Sequence, residues 1–300
     1  MAGVRIGTAE ANSTFLSQGL ALKTVLERAP ALKPIDVSTS GHASVENANR
    51  LQSGDIDFGF MASNWIGRAK NGETPFAQKI DLRMVAPMNA GPLFFIASAG
   101  SALRTVRDLR GRRLVVGPEK SGMTQHARVI LGTLGMTLAD LTSLYLDFAS
   151  GAEALVRGDA DAQLQCPIPN KVMTALDARA EIRVLHYAAD DLDTVLRAVP
   201  FYRRTVMRRG ALRALDADVA QPAVVNVLVT HARVAEATVC EVTAAIFAAC
   251  EELPRLNALF DDMATLFAPL RAEGARAFEF GGVALHPGAA AAYRAASLLG

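Results

Sequence analysis

The feature that most constrains the fold is an internal repetition of one strand–loop–helix plan. In the first half, strand Val4–Ile6 leads into Gly7 and a small polar loop, and a later helix meets a Gly-Asp-x-Asp turn at Gly54. In the second half, Gly117 and Gly158 take the corresponding places. The spacing between the two glycines is 47 residues in the first half and 41 in the second. The repetition predicts two lobes built on one α/β plan.

Short apolar runs alternate with longer amphipathic segments, which predicts βαβ units with largely parallel sheets. The predicted strands are Val4–Ile6, Ile35–Ser38, Phe58–Met61, Arg83–Ala86, Leu93–Ala97, Leu114–Val116, Ser143–Leu146, Ala162–Gln165, Val184–His186 and Val224–Val229. The predicted helices are Thr14–Glu27, Ser44–Leu51, Thr124–Leu134, Ala149–Arg157, Ile168–Ala178, Val234–Leu253 and Pro287–Ala296. The two Gly-Asp-x-Asp elements are interpreted as turn chemistry, in which glycine ends a helix and aspartate starts the turn into the next strand.

Long extended stretches flank the second half-repeat, and there the chain is predicted to cross between the lobes. We assign residues 1–90 to lobe 1, residues 91–220 to lobe 2, and residues 221–300 to lobe 1 again, with the C-terminal helices. The apolar spacing of residues 234–253 predicts one long helix that packs on lobe 1 and touches no ligand.

The composition is that of an ordinary globular protein, with 51% hydrophobic residues, 20% charged residues and a net charge of +1. No basic stripe suits nucleic acid, and no window reaches the ~20 apolar residues of a membrane span. The three cysteines lack metal-ligand spacing and are interpreted as free thiols. The first strand begins almost at once, without a signal peptide. This predicts either a cytoplasmic protein or one whose leader has been removed.

Three loops have the composition expected where helices begin beyond the carboxyl ends of parallel strands. They cover residues 7–14, 38–44 and 117–124, and all are rich in Ser, Thr, Asn and Gly. Helix N-termini at such places offer free N–H groups to a small polar or anionic ligand. Ordinary helix capping by the same hydroxyls is the alternative. The candidate ligand-binding residues are Thr8, Asn12, Ser13, Thr14, Phe15, Ser40, Gly41, His42, Ser44, Asn47, Ser63, Trp65, Lys120, Ser121, Gly122, Met123, Thr124 and Gln165.

Few residues in these loops carry a charge that can neutralise a charged ligand. They contain Lys120 and the titratable His42 but no arginine, so helix N-termini and neutral polar side chains are predicted to do most of the anchoring. Lys120 is equally interpreted as a solvated lysine, and Trp65 as either core packing or a wall of the site. The pair Asp190-Asp191 is interpreted as solvated surface. No nucleotide fingerprint and no metal spacing occur, so neither a cofactor nor a metal is expected.

Three segments together resemble the TAXI-type solute-binding proteins that serve TRAP transporters. Residues 40–59 are similar to that family's T-G-G-S-V-E-N…L-x-x-G-x-x-D-F signature, residues 116–123 to V-G-P-x-x-S-G-T, and residues 285–289 to L-H-P-G-A. Residues 106–113 also match a D-L-K-G-K-R turn common to many two-lobed binding proteins. The first loop departs from the family, because residues 7–15 replace most of a glycine-rich G-T-G-G-x-x-G-x-Y segment with side chains.

The resemblance implies a two-lobed periplasmic-binding-protein fold with two hinge crossings and a ligand cleft between the lobes. It implies a periplasmic receptor, not an enzyme, that binds a small carboxylate or an amino-acid-like solute and delivers it to the membrane subunits of a TRAP permease. A monomer is expected, without nucleic-acid binding or membrane insertion. Because Glu10 and Asn12 stand where the family has glycine, the identity of the ligand stays open.

Two other classes of protein remain alternatives. A lyase or decarboxylase on the same fold would draw its acid, base or nucleophile from His42, Glu10 and Cys166, which come from different loops. The ligand-sensing domain of a regulator is the other alternative, although no DNA-binding segment precedes the first strand. Solute binding without turnover would favour the receptor.

Overall fold

The computed structural model describes residues 3–11, 13–119, 121–165, 168–188, 190–213 and 215–300. The chain divides into two compact units: unit 1 is Met1–Ala90 with Val225–Gly300, and unit 2 is Gly91–Val224. Both boundaries between the units fall inside long strands.

The strands are β1 (Val4–Gly7), β2 (Ile35–Ser38), β3 (Phe58–Ala62), β4 (Leu82–Pro92), β5 (Phe94–Ser98), β6 (Arg113–Val115), β7 (Thr142–Leu144), β8 (Ala162–Gln165), β9 (Ile182–Val184), β10 (Tyr202–Met207) and β11 (Val219–His231). The α-helices are α1 (Thr14–Leu26), α2 (Ala43–Ser53), α3 (Ser63–Asn71), α4 (Gly122–Thr133), α5 (Phe148–Arg157), α6 (Lys171–Arg179), α7 (Asp191–Ala198), α8 (Glu236–Ala248), α9 (Leu253–Leu256), α10 (Met263–Phe267), α11 (Pro269–Glu273) and α12 (Pro287–Ala295). Short 3₁₀ turns lie at Pro30–Leu32, Val106–Leu109, Leu138–Asp140, Ala258–Phe260 and Gly274–Phe278.

The sheet of unit 1 carries three parallel strands. β1 lies between β2 and β3 and pairs in parallel with both, while β11 adds to β3 in the antiparallel direction and β4 pairs with β11. The side chains of Ile6, Phe58 and Phe60 are fully buried, as are Leu22 and Leu26 of α1. Because the parallel strands end together, β1, β2 and β3 present one carboxyl edge.

The sheet of unit 2 has the order β7–β6–β8–β5–β9. β6 pairs in parallel with β7 and β8, whereas β5 is antiparallel to β8 and β9. β10 pairs in the antiparallel direction with residues 219–224 of β11. The predicted parallel pairing therefore holds for the repeated halves, while β5 and β11 run in the opposite direction in their sheets.

The internal repetition is present in the structure and has the same chemistry in both halves. Gly54 ends α2 and Gly158 ends α5, each in the left-handed region with φ of 86° and 78°. In unit 1, Arg5 Nη2 lies 2.7 Å from Asp57 Oδ1, and the Arg5 backbone N–H donates to the same carboxylate. In unit 2, Arg113 repeats both contacts with Asp161. The last aspartate of each Gly-Asp-x-Asp element thus joins two neighbouring strands through an ion pair and a backbone hydrogen bond.

Two predicted helices have different limits. The predicted helix 234–253 is shorter, because α8 ends at Ala248 and Pro254 lies in the first turn of a separate helix, where its missing N–H costs nothing. α6 begins at Lys171 instead of Ile168, because Asn170 caps it by accepting a hydrogen bond from the Met173 N–H at 2.8 Å.

Five elements and one burial were not predicted. The prediction lacks α3, α7, α10, α11 and β10, each of which is at most nine residues long. Asp191 was interpreted as solvated but is only 6% exposed, and its carboxylate lies 2.6 Å from Arg107 Nη2. The buried charge is therefore paired, as burial requires.

The packing of α8 explains one of the motif glycines. Val239, Val242 and Ile246 are fully buried, as their spacing predicts. α8 packs against α12, and a Cβ atom at Gly288 would lie 2.2 Å from the Glu236 carbonyl oxygen. The glycine of the L-H-P-G-A segment therefore allows two helices to approach closely.

Replacing Gly117 should cost more stability than replacing Gly158. Both have positive φ, which disfavours alanine by about 1–2 kcal/mol. A Cβ at Gly117 would also lie 2.7 Å from Met123 Cβ, whereas one at Gly158 meets no described atom within 4 Å. Urea unfolding should show that G158A lowers the free energy of unfolding by about 1 kcal/mol and G117A by at least about twice as much. Equal losses would contradict this account.

Candidate functional site

The carboxyl edge of unit 1 is held together by buried polar side chains that bond to backbone carbonyls. Thr8 Oγ1 donates to the Ser38 carbonyl at 2.8 Å, and Ser40 Oγ donates to the Thr8 carbonyl at 2.9 Å. Asn47 Nδ2 lies within 3.2 Å of the carbonyls of Gly7, Thr8 and Phe60. These three candidate residues therefore join the ends of the strands.

Two further serines of the candidate set accept hydrogen bonds from the backbone. Ser44 Oγ accepts from the Ala62 N–H at 3.0 Å, and Ser63 Oγ accepts from the Val225 N–H at 3.1 Å. Both serines are buried. Much of the hydrogen-bonding capacity that the sequence suggested for a ligand is used to build the edge.

The N-terminus of α1 keeps donors available at this edge. Ser13 caps the helix by accepting from the Leu16 N–H at 3.1 Å. Phe15 is buried against Phe60, with ring centroids 5.4 Å apart, while Thr14 is exposed. The backbone N–H groups of Thr14 and Phe15 donate to no described residue, so they can bind an acceptor.

The N-terminus of α2 is already occupied by a carboxylate from the same helix. Glu46 Oε2 accepts from the backbone N–H groups of Gly41 and His42, at 3.0 and 3.2 Å. A negative charge at a helix N-terminus is favourable, so Glu46 supplies a counter-charge at the end of α2, although the N–H groups of Ala43 and Ser44 in the first turn have no acceptor in the described chain. Gly41 and His42 are exposed, but their N–H groups are taken.

Trp65 has partners within unit 1. It lies in the first turn of α3, half-buried, with its ring edge-on to Phe76 at 6.3 Å and the Arg68 guanidinium 4.9 Å from its centroid. Among the other candidate residues, Asn12 and Lys120 lie outside the described residues, as does Cys166 of the enzyme alternative.

The N-terminus of α4 is the corresponding feature of unit 2. Ser121 Oγ accepts from the Thr124 N–H at 3.2 Å. Thr124 Oγ1 lies 2.8 Å from the Pro118 carbonyl and 3.2 Å from the Gly117 carbonyl, which fixes the loop after β6. Within the described ranges, the N–H groups of Gly122 and Met123 have no acceptor. Ser121 and Thr124 therefore hold a helix end whose backbone donors remain available.

Gln165 lies at the carboxyl edge of unit 2 with its side chain unpaired. It is the last residue of β8 and is 0% exposed. Neither Oε1 nor Nε2 has a hydrogen-bond partner in the described part of the chain. A buried amide without partners costs free energy, so Gln165 would gain stability from a hydrogen-bond partner outside the described residues.

A chain of three amides in unit 1 was missed by the sequence analysis. Asn89 Oδ1 accepts from Gln18 Nε2 at 3.1 Å and from Asn226 Nδ2 at 3.2 Å, and Gln18 Oε1 is buried without a described partner. Asn226 pairs with Ala62 at the end of β3, which places the amides at the carboxyl edge. The sequence contained one indication of this chain of amides, because Gln18 is a polar residue on the otherwise apolar face of α1.

A buried histidine and tyrosine pair in unit 2 was also missed. His126 Nδ1 lies 2.7 Å from Tyr202 Oη, and the histidine is 9% exposed. Burial lowers the pKa of His126 to about 4 and raises the pKa of Tyr202. Tyr187 Oη is buried without a partner among the described residues, and burial raises its pKa well above the usual value. Both phenols therefore stay protonated at neutral pH.

Two residues of the enzyme alternative, Glu10 and His42, are exposed, and no hydrogen bond or ion pair joins them in the described chain. No group of three or more His, Cys, Asp and Glu side chains that could hold a metal ion occurs among the described residues.

Comparison with known families identifies the chain. The model of the NMT1-like family matches residues 6–296. The chain belongs to the NMT1-like family.

Solved structures similar to this NMT1-like protein are solute-binding proteins. One is described as the "periplasmic sulfonate-binding protein SsuA" from Methylobacillus flagellatus KT, with 14% identity, 100% of this chain and 96% of that chain covered, and a TM-score of 0.60. A TctC solute binding protein from Polaromonas has 14% identity, coverage of 87% and 88%, and a TM-score of 0.58. The periplasmic aliphatic sulphonate binding protein SsuA from Escherichia coli has 19% identity, coverage of 93% and 84%, and a TM-score of 0.52.

These similarities establish the fold class. The NMT1-like protein is mixed α/β with two sheets and shares the two-lobed fold of periplasmic binding proteins, as the sequence predicted. None of the described helices combines the length and the apolar character that crossing a membrane requires.

The buried His126 should make stability depend on pH. In the unfolded chain it gains a proton as the pH falls through 6.5, whereas in the folded protein it does so only near 4. The folded state therefore loses stability between pH 6.5 and 4, by about 3 kcal/mol at about 1.4 kcal/mol per pKa unit. H126Q keeps a hydrogen-bonding group beside Tyr202 but cannot titrate.

The measurement is urea unfolding of both proteins from pH 7 to pH 4. The stability of the wild type relative to H126Q should fall over this interval by that amount. Parallel pH profiles would show that His126 is not held neutral by its surroundings.

Proposed function

We propose that this NMT1-like protein is an extracytoplasmic solute receptor, which binds a small polar solute and passes it to a membrane permease. The observation that carries the proposal is the recurrence of one arrangement in both halves of the repeat. α1 and α4 each begin at the carboxyl edge of parallel strands, each is capped by a serine, and each leaves two N–H groups without a described acceptor. Free N–H groups and the helix dipole together favour a carboxylate or another electron-rich group.

The fold and the unpaired amide of Gln165 support the same function. The similar periplasmic solute-binding proteins share this fold. In open α/β sheets generally, ligands bind beyond the carboxyl ends of the strands. We propose that units 1 and 2 are the two lobes predicted at residues 1–90 with 221–300 and at 91–220. The predicted cleft stays a prediction.

The more specific proposal is a TAXI-type receptor of a TRAP transporter for a carboxylate or an amino-acid-like solute. It rests on the resemblance of residues 40–59, 116–123 and 285–289 to that family's motifs. A periplasmic location and a permease partner belong to the same proposal. Comparing uptake of a labelled solute, once identified, in cells that carry and lack this chain tests delivery, and fractionation of the cells tests the location.

The receptor is distinguished from an enzyme by binding without conversion. Isothermal titration with panels of carboxylates, amino acids, sulfonates and amides should identify a ligand, and chromatography of the same mixtures should recover it unchanged. Consumption of the ligand would favour the enzyme alternative instead.

Filling the N-terminus of α4 should abolish solute binding while leaving the fold intact. Gly122 is exposed, and a Cβ added there meets no described atom within 4 Å. G122L therefore places a bulky side chain beside the free N–H groups at little cost in stability. We expect the affinity to fall at least about a hundredfold, which corresponds to about 3 kcal/mol of binding free energy. The leucine would block the hydrogen bonds from the helix N-terminus and would no longer fit the shape of the solute. Ser121 is less suitable for this test because it caps the helix.

G132L is the matched control. Gly132 lies near the other end of α4, is exposed, and also leaves open space for a Cβ. Leucine there changes the same helix to the same degree without approaching its N-terminus. Affinities of G122L and G132L that remain equal to that of the wild type would remove α4 from the binding site.

A further inference from the structure

The side chain of Gln165 is an amide that the described chain buries completely and does not pair. Its backbone pairs with Phe94 through the antiparallel contact of β8 and β5. Its donor and its acceptor both lack partners among the described residues. Each such atom costs about 1–3 kcal/mol when it is buried without a hydrogen bond. The arrangement is therefore expensive unless something else pairs with the amide.

The neighbouring glutamine on the same face differs from Gln165 in one respect. Side chains two apart along a strand share a face, so Gln163 and Gln165 point to the same side of β8. Gln163 Nε2 donates to the Phe148 carbonyl at 3.0 Å, so its amide is half paired, although its Oε1 is buried without a partner among the described residues. The apolar cluster of this unit that includes Phe94 and Ile96 offers no donor or acceptor from its side chains. Gln165, nearer the carboxyl edge, has no such partner.

Two other polar side-chain atoms of unit 2, Gln221 Oε1 and Tyr187 Oη, have no partner in the described chain. Gln221 Nε2 reaches the carbonyl of Leu185, the residue after β9, at 3.4 Å, and its Oε1 is unpartnered in the described chain. Tyr187 Oη follows two residues later and is also unpartnered there. β9 is parallel to β8, because both are antiparallel to β5, so these groups lie toward the same edge. Tyr187 packs against the apolar cluster of Phe95 and Leu164, whereas Gln165 lies opposite Phe94 on the other face of the sheet.

The buried charge beside Tyr187 is already paired. Asp191 is buried, and both of its carboxylate oxygens accept hydrogen bonds from the Arg107 guanidinium, at 2.8 and 2.6 Å. The unpaired atoms of Gln165, Gln221 and Tyr187 belong to uncharged amide and phenol groups.

We propose, on the basis of the receptor function above, that the solute carries an adjacent N–H donor and C=O acceptor that pair with the Gln165 amide through two hydrogen bonds. The chemical class is a carboxamide, a lactam or another group with such a donor–acceptor edge. A glutamine side chain offers one donor and one acceptor side by side, and it recognises such edges in the same way when proteins bind adenine. A carboxylate has acceptors only, so it would pair with Nε2 but leave Oε1 facing a negative charge.

Both amide atoms are closed off from water in this structure. Pairing therefore requires a rotamer change of Gln165 or a displacement of a neighbouring side chain. Glutamine has three side-chain torsions, so the amide can turn toward the end of β8 without a change in the backbone.

The experiment uses matched pairs of amide and acid, namely glutamine and glutamate, asparagine and aspartate, and nicotinamide and nicotinate, with 2-pyrrolidone as a lactam. Titration calorimetry on the full chain should show the amide or lactam members binding at least about tenfold more tightly than the acids. Q165M removes both polar atoms at similar volume and should weaken amide binding by at least about tenfold. It should also raise the melting temperature, because an unpaired buried amide is lost.

Q163M is the matched control, since it changes the glutamine two residues earlier on the same face, whose Nε2 is paired within the chain. It should leave amide affinity within about twofold of the wild type. Q165L provides a second variant, which also removes both polar atoms but has a branched side chain, and it should also lose the preference for amides. Circular dichroism of every variant shows whether it is folded.

Each outcome decides a separate question. A higher melting temperature of Q165M with unchanged affinity would mean that the amide holds only internal water, and it would overturn the proposal. Tighter binding of the acids, or of any solute regardless of Gln165, would overturn the amide class and leave the receptor function standing. Failure of every solute in the wider panels to bind the wild type would overturn the receptor function itself.

Discussion

Carbonyl groups at the ends of parallel strands need hydrogen-bond donors, and this requirement determines how both candidate edges are built. In unit 1, the Asn47 side-chain amide meets this requirement. It donates to the carbonyls of Gly7 in β1, of Thr8 directly after β1, and of Phe60 in β3. Thr124 meets it in unit 2 by placing its hydroxyl against the carbonyls of the loop after β6. Once these side chains fix the loops, the helix N-termini that follow them are held in place. The backbone donors of α1 and α4 depend on this arrangement for their positions.

The repetition was the part of the fold that could be predicted from sequence with least ambiguity. Strong apolar runs such as Phe58–Met61 and Leu93–Ala97 marked strands because they are buried on both faces, and glycine marked the helix ends at Gly54 and Gly158. α3 follows β3 without an intervening turn residue, so no local signal separates the two. β10 carries two consecutive arginines, Arg203 and Arg204, which interrupt the alternation of apolar and polar residues that is typical of a strand. Such elements are determined by partners distant in sequence.

The candidate site was predictable only in part, for a related reason. Composition identified the loops rich in serine and threonine, but it could not show which atoms would remain free after folding. Thr8, Ser40 and Asn47 satisfy the backbone, whereas the unpaired capacity lies in N–H groups, which every residue type except proline carries. The amides of Gln18 and Gln165 lie inside apolar patterns, where a single glutamine gives little indication of its role. That Gln165 lacks a partner at both amide atoms, and Gln18 at its Oε1 alone, is visible only in three dimensions.

The carboxylate of Glu46 has a consequence for how the selectivity of such a protein could change over evolution or by engineering. It occupies the N-terminus of α2 and makes that end unattractive to an incoming anion. All three helix ends that the sequence singled out keep first-turn N–H groups without an acceptor in the described chain, and α2 is the one that carries its own counter-charge. Exchange of this one carboxylate for a neutral side chain would create a vacant anion position without moving the backbone. If the proposed receptor function holds, the number of negative groups that the protein accepts can therefore change through a substitution that lies outside its strands.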